Sequence, residues 1–228
     1  MQLTIAGEEI ALLPERAIHW PAASTLLVAD LHWGKAASFR AAGIPVPAGT
    51  TASDLARLDA ALARTEARRL VVLGDLLHAR AARDAKGTLA LLHDWRARWP
   101  RLQCLLARGN HDERSGDPPA TLGFEAVDRL HEGPFVFQHH PGVSELGYTL
   151  AGHLHPGIKL LGRGDRLSLP CFWFGAQYGV LPAFGSFTGR TTPAVAPGDR
   201  VFVIGEDEVH EIPVAPEPST GNCPRAGL

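Results

Sequence analysis

Short apolar runs recur along the chain, and most of them close on glycine or a polar group. LTIA and IALL come first, followed by TLLVAD (25–30), LVVLGD (70–75), LQCLLARGN (102–110), FVFQHH (135–140) and YTLAGH (148–153). CFWFG (171–175), PAFGSF (182–187) and VFVIG (201–205) complete the series. Runs of this length and ending predict β-strands. Two stretches carry helical spacing instead. SDLARLDAALARTEARR (53–69) sets Leu55, Leu58 and Leu62 on one face, with Ser53 or Asp54 as the N-cap. GTLALLHDWRARW (87–99) does the same with Leu89, Leu92 and Trp99. Strands and helices alternate in the first half, and the second half is rich in strands. This predicts an α/β fold of two packed β-sheets flanked by helices.

No repeat of solenoid period occurs. RTTPAVAPGD (190–199) reads as a surface loop, and residues 213–228, rich in Pro, Gly and polar groups, as a disordered tail. One domain is expected over 1–212. With 228 residues, 45% of them hydrophobic, the chain can bury a sizeable core. A net charge of −2 advertises neither nucleic acid nor membrane. Cys104, Cys171 and Cys223 are too few and too scattered for a disulfide framework or a zinc ribbon, and they suit a reducing cytosol. Acids stand where a signal peptide would carry its apolar core, so a cytoplasmic protein is expected. Residues 167–189 carry no charge, but Pro170, Pro182, Gly175, Gly179 and Gly185 interrupt them, so no membrane span is predicted.

The endings of the runs carry the chemistry. TLLVAD leads to Asp30 and His32, LVVLGD to Asp75 and His78, and LQCLLARGN to Asn110, His111 and Asp112. FVFQHH ends on His139 and His140, and YTLAGH leads through His153 to His155. One Asp or His at a strand end is ordinary, a cap or a turn. Five successive runs ending this way predict convergence, because loops at the carboxyl ends of strands form the ligand crevice of an α/β sheet. Oxygen and imidazole donors without thiolate suit Mn²⁺, Fe or Zn²⁺. The set exceeds the needs of one tetrahedral ion. Two ions about 3.5–4 Å apart, sharing a carboxylate, would use it fully and would activate water against a phosphoryl group.

These motifs (D-x-H, G-D-x-x, G-N-H-D, a later His, G-H-x-H) resemble the signature of the calcineurin-like metallophosphoesterases. ADLHWGKAASFRAAGIPVPAG (29–49), GDLLHAR, RGNHD and the late LPCFWF and LPAFGSFTGR are similar to one branch of them, the bacterial ligase-associated DNA-damage-response endonucleases of the PdeM group. The similarity runs from about residue 3 to 205. It implies the calcineurin-like fold and two divalent ions, Mn²⁺ first among the choices. One ion would be held by Asp30, His32, Asp75 and His155, the other by Asp75, Asn110, His139 and His153, with Asp75 bridging. His139 is preferred to His140 because related patterns use the first histidine of the pair.

The resemblance further implies that Gly109 makes a sharp turn, that His111 faces the scissile phosphate as general acid, and that Asp112 holds the His111 imidazole. A metal-bridging hydroxide would attack phosphorus. His78 is expected either at the phosphate or at a helix start, and His140 either beside substrate or simply exposed. Lys35, Arg40, Arg80, Arg83, Arg108 and Arg114 lie near the motifs and either steer a polyanion or solvate loops. Trp33 either stacks on a base or packs inside. The resulting expectation is a DNA endonuclease of repair, acting on single strands. A functional association with a ligase and a helicase is implied by the resemblance alone. The alternative is a phosphoesterase for a small diester or cyclic nucleotide. A binding scaffold of this fold would show gaps in the ligand set, and this sequence has none.

Overall fold

A computed structural model describes residues 1–47, 49–79, 86–161 and 166–213. The first sheet holds β1 (Gln2–Ile5), β2 (Glu8–Leu13), β3 (Ala17–Trp20), β4 (Thr25–Val28), β5 (Arg69–Leu73), β6 (Gln103–Ala107) and β7 (Phe124–Val127), in that spatial order. β1 to β4 form an antiparallel meander, and β4 to β7 run parallel. The second sheet holds β8 (Leu130–Glu132), β9 (Phe135–Phe137), β10 (Tyr148–Ala151), β11 (Gly157–Leu161), β12 (Arg166–Phe174), β13 (Tyr178–Val180), β14 (Arg200–Ile204) and β15 (Val209–Ile212). Its order is β15-β14-β12-β13-β10-β9-β8, with β11 paired to β12. Among the described residues four α-helices accompany the first sheet: α1 (Lys35–Ala41), α2 (Thr50–Thr65), α3 (Lys86–Arg98) and the short α4 (Asn110–Ser115).

The uninterrupted apolar runs follow from burial on both faces of the parallel strands. Leu26 and Val28 of β4, Leu70 and Val72 of β5, and Leu106 of β6 pack with Leu55, Leu58 and Leu62 of α2 and with Leu92 and Trp95 of α3. Their neighbours Leu27, Val71, Leu73 and Leu105 face the second sheet and meet Phe135, Phe137, Leu150 and Phe172. Each fully buried side chain of this kind contributes about 1.5–3 kcal/mol. The strands that carry the polar endings are therefore the most firmly held part of the molecule.

Several local expectations give way to tertiary packing. α2 begins at Thr50 after Gly49, not at Ser53 or Asp54. Asp54 is buried inside the helix, where its carboxylate pairs with Arg57 and accepts from the Ser186 N–H and hydroxyl. α3 buries Thr88, Leu92 and Trp95; Trp99 lies beyond its end and its indole N–H donates to Asp59. PAFGSF forms no strand. Ala183 makes an isolated bridge to Ala29, and the Phe184 and Gly185 N–H groups donate to Ala29 and Asp30, so the run is pinned beside the exit of β4. The uncharged 167–189 stretch becomes part of β12, then β13 and this pinned run, and no described helix is long and apolar enough to cross a membrane. The expected tail, 213–228, lies almost entirely outside the described residues, as do Arg80 and Arg83.

Candidate metal centre

The five polar endings meet at one edge of the sheet pair. Backbone bonds carry the loops past the strand ends: Asp30 N–H donates to Gly74, and His32 N–H to the Asp75 carbonyl. The two sheets are tied here too, since His153 N–H donates to Asp30 Oδ2 at 2.9 Å. Asp30, His32, Asp75, His153 and His155 all adopt left-handed backbone, with φ of 53°, 47°, 54°, 69° and 49°. For residues other than glycine this costs about 1–2 kcal/mol each. Such strain concentrated on five candidate ligands is what a site enforced by its surroundings shows.

The glycines before these residues are needed for space. Gly74 has φ +81°, and a Cβ there would run into the His139 ring. A Cβ on Gly109 would collide with the Asp75 carboxylate and lie 2.7 Å from the Asp75 nitrogen. Gly109 itself is extended, with φ −105° and ψ 176°, so the expected sharp turn is not its role. It lets Asp75 approach.

One half of the site is built around His139, which is 1% exposed. Its Nδ1 donates to the Leu73 carbonyl at 3.0 Å, which leaves a lone pair on Nε2. That Nε2 lies 3.1 Å from Asn110 Oδ1, 3.1 Å from His153 Nδ1 and 3.6 Å from Asp75 Oδ2. The other half holds Asp30, His32 and His155. His155 Nε2 is 3.3 Å from Asp30 Oδ1, and His32 Nε2 is 3.7 Å from Asp75 Oδ2. Asp75 thus touches both halves, the position a bridging carboxylate requires. Asp30 Oδ1 and both ring nitrogens of His32 are buried without a hydrogen-bond partner. Burial, then the charge of Lys35 and the neighbouring imidazoles, lowers the pKa of His32 to about 2. Burial first and His139 and His140 next lower that of His153 as well. Neutral imidazoles and carboxylates with lone pairs turned inward fit divalent cations. Groups of three donors whose ligand atoms all lie within 4.8 Å include Asp30–His32–His155, Asp30–Asp75–His139 and His139–His140–His153.

His111 stands over this centre, with Nε2 at 3.8 Å from Asp75 Oδ2. Its Nδ1 donates to the His78 carbonyl at 2.6 Å, and its backbone N–H to Asp75 Oδ1 at 2.9 Å. The anchor of the imidazole is therefore His78, not Asp112. The Asp112 carboxylate instead accepts the backbone N–H groups of Asp75, Gly109 and Leu76 at 2.7, 2.9 and 3.1 Å. It staples the two loops that carry Asp75 and Asn110. Burial pushes its carboxyl up to about 6, opposed first by the Gly109 N–H and reinforced by the Asp75 charge. The His78 ring lies 5.1 Å from that of His111 and 5.7 Å from that of His32, and burial lowers its pKa to about 4.

Trp33 is 1% exposed and packs on Trp95 in the helix-side core, so it offers no face to a base. Arg108 is held by Asp117 through two bonds and by Asp128 through a third, so its charge is matched by carboxylates. His140 is exposed, its ring 4.2 Å from that of His153. Burial lowers the pKa of the Lys35 ammonium, and the charges of Asp75 and Asp30 oppose that shift, so Lys35 lies within the field of the centre. In the sequence Lys35 is one of several basic residues near the motifs, and its position three after His32 is the signal that sets it apart.

Comparison with solved structures finds the Pseudomonas putida nuclease MPE at 43% identity and a TM-score of 0.81, with 92% of this chain and 99% of that one covered. More distant are the E. coli phosphoesterase YfcE, at 12% identity and TM-score 0.40, and a Vps29 mutant from Entamoeba histolytica, at 13% and 0.37. Each covers 82% of this chain and is itself covered to 97%. No protein-family profile and no curated protein matches the chain.

Proposed function

We propose that the chain, which belongs to the family of the Pseudomonas putida nuclease MPE, is a calcineurin-like metallophosphoesterase, a two-metal phosphodiesterase that cuts single-stranded DNA internally. The observation that carries this reading is the Asp75 carboxylate, flanked on both sides by buried, inward-facing donors and overlooked by His111. Asp30, His32, Asp75 and His155 would hold one ion, and Asp75, Asn110, His139 and His153 the other. A bound divalent pair, Mn²⁺ by our choice, supplies a nucleophile at neutral pH and neutralises phosphoryl charge. The chain's own part centres on His111. The His78 carbonyl fixes Nδ1 as a donor, so the protonated ring presents a second N–H at Nε2 to the leaving oxygen. General acid help of this kind is worth about 10²–10⁴-fold. Asp112 positions the loops without touching that ring. A DNA-repair role in the cytoplasm, in functional association with a ligase and a helicase, completes the proposal and rests on family resemblance.

Circular single-stranded DNA with Mn²⁺ tests it, because a circle has no ends and any cut is internal. The wild type should linearise the circle, and His111→Ala should keep its metal and lose most turnover. An intact circle alongside hydrolysis of a small diester would retain the metal chemistry and remove DNA as substrate.

A further inference from the structure

Next to His78 and His111 lies a cleft of about 310 Å³ that the chemistry above leaves unused. Lys35, Phe39, Ser186, Phe187, Thr188 and Gly189 line it. Phe39 and Phe187 meet edge to face, with centroids 5.5 Å apart and planes at 85°. Both are partly exposed, whereas Phe184, Phe135 and Phe172 are wholly buried. The pair is continuous with the reacting centre: the Phe39 ring lies 5.9 Å from that of His78, which lies 5.1 Å from that of His111.

The cleft is also held in shape. Ser186 is tied by its N–H and hydroxyl to the buried Asp54, and its hydroxyl accepts from Arg57. Thr188 donates to the Gly185 carbonyl at 2.8 Å. These bonds fix the segment that presents Phe187. On α1, Lys35 and Phe39 stand four residues apart and share a face. The cleft therefore offers an apolar aromatic wall and a cation, one imidazole away from the candidate general acid.

We propose that this cleft is a nucleobase subsite, in which a base beside the scissile phosphate stacks on Phe187 and meets Phe39 at its edge while Lys35 faces the backbone phosphate. The proposal rests on the nucleic-acid reading of the metal centre. Stacking of this kind tolerates any base, because every base has a π-face. It would also distinguish a polynucleotide from a simple diester without help from net charge.

The test compares two single-stranded oligonucleotides in Mn²⁺, one normal and one with stable abasic analogues around the cut site. Phe187→Ala should raise KM for the normal strand by about 10-fold, with kcat nearly unchanged. Phe187→Trp should restore the wild-type KM. On the abasic strand the wild type and Phe187→Ala should behave alike. An unchanged KM on the normal strand would overturn the subsite and leave the nuclease reading intact. Equal losses on both strands would overturn it too, since the residue would then only support the fold. If the wild type cuts neither strand, the nucleic-acid reading fails and the subsite goes with it.

Discussion

Asn110 Oδ1 and His153 Nδ1 each lie 3.1 Å from His139 Nε2, and a backbone carbonyl fixes the central ring. Across Asp75, Asp30 and His32 carry buried polar atoms that nothing in the described protein satisfies. In the first half the bond to the Leu73 carbonyl sets the His139 ring with its Nε2 lone pair turned inward. The second half is oriented by strained backbone and packing, and its buried polar atoms remain costly until a cation satisfies them. The two ways of building a ligand set separate rigidity from affinity. A preformed half needs little reorganisation to bind, and an unsatisfied half couples binding to stability.

Asp75→Ala strikes both halves at once and should have the largest effect. Metal analysis should show loss of both ions, and turnover should fall by at least ~10³-fold. Retention of full metal content would remove Asp75 as the bridge. The histidine pair tests the preformed half alone. His139→Ala should weaken metal binding by about 100-fold or more, and His140→Ala by less than about 3-fold. Metal titrations in which the order is reversed would reassign the ligand.

Asp112→Ala should destabilise the loops shared by both halves by about 3 kcal/mol, because three buried N–H groups lose their acceptor. A urea midpoint equal to that of the wild type would contradict the stapling role. The unsatisfied half should show itself in pH dependence. His32 is held neutral in the fold, with its pKa lowered to about 2, while the unfolded chain takes up a proton near 6.5. At this group the unfolded state therefore binds more protons below pH 6.5, so in metal-free protein His32 removes about 1 kcal/mol of stability for each pH unit below that point, while the Asp112 carboxyl, raised to about 6, acts in the opposite sense. A stability difference between wild type and His32→Asn that stays constant from pH 6.5 to 4.5 would count against a buried neutral His32. Arg108→Ala should change KM for DNA least, by under about 2-fold, because Asp117 and Asp128 already answer its charge. A large rise would make it a substrate contact after all.

Two kinds of information differ in how they were written in the chain. The parallel strands, α2 and α3 were legible because burial on one or both faces leaves a period in the sequence. The five polar endings were legible for the same reason: each interrupts an apolar run at a strand's carboxyl end. Short elements such as α1, β3 and β13 left too few residues for a period to show. Where a partner lies far along the chain, local pattern misled. Asp54 reads as a cap but serves Ser186, and Trp33, which reads equally as a platform for a base or as core, packs on Trp95. Gly109 reads as a turn but makes room for Asp75, and Asp112 reads as a partner of His111 but staples two loops.

The sequence by itself determined the α/β layering, the strands that end in donors, and a donor chemistry of oxygen and imidazole. Only the tertiary structure decided which donors share a centre, which histidine of the His139–His140 pair turns inward, and which cations face carboxylates instead of a substrate. Periodicity records how a residue is buried, whereas the partner it is buried against is set by contacts between positions separated by as many as 168 residues.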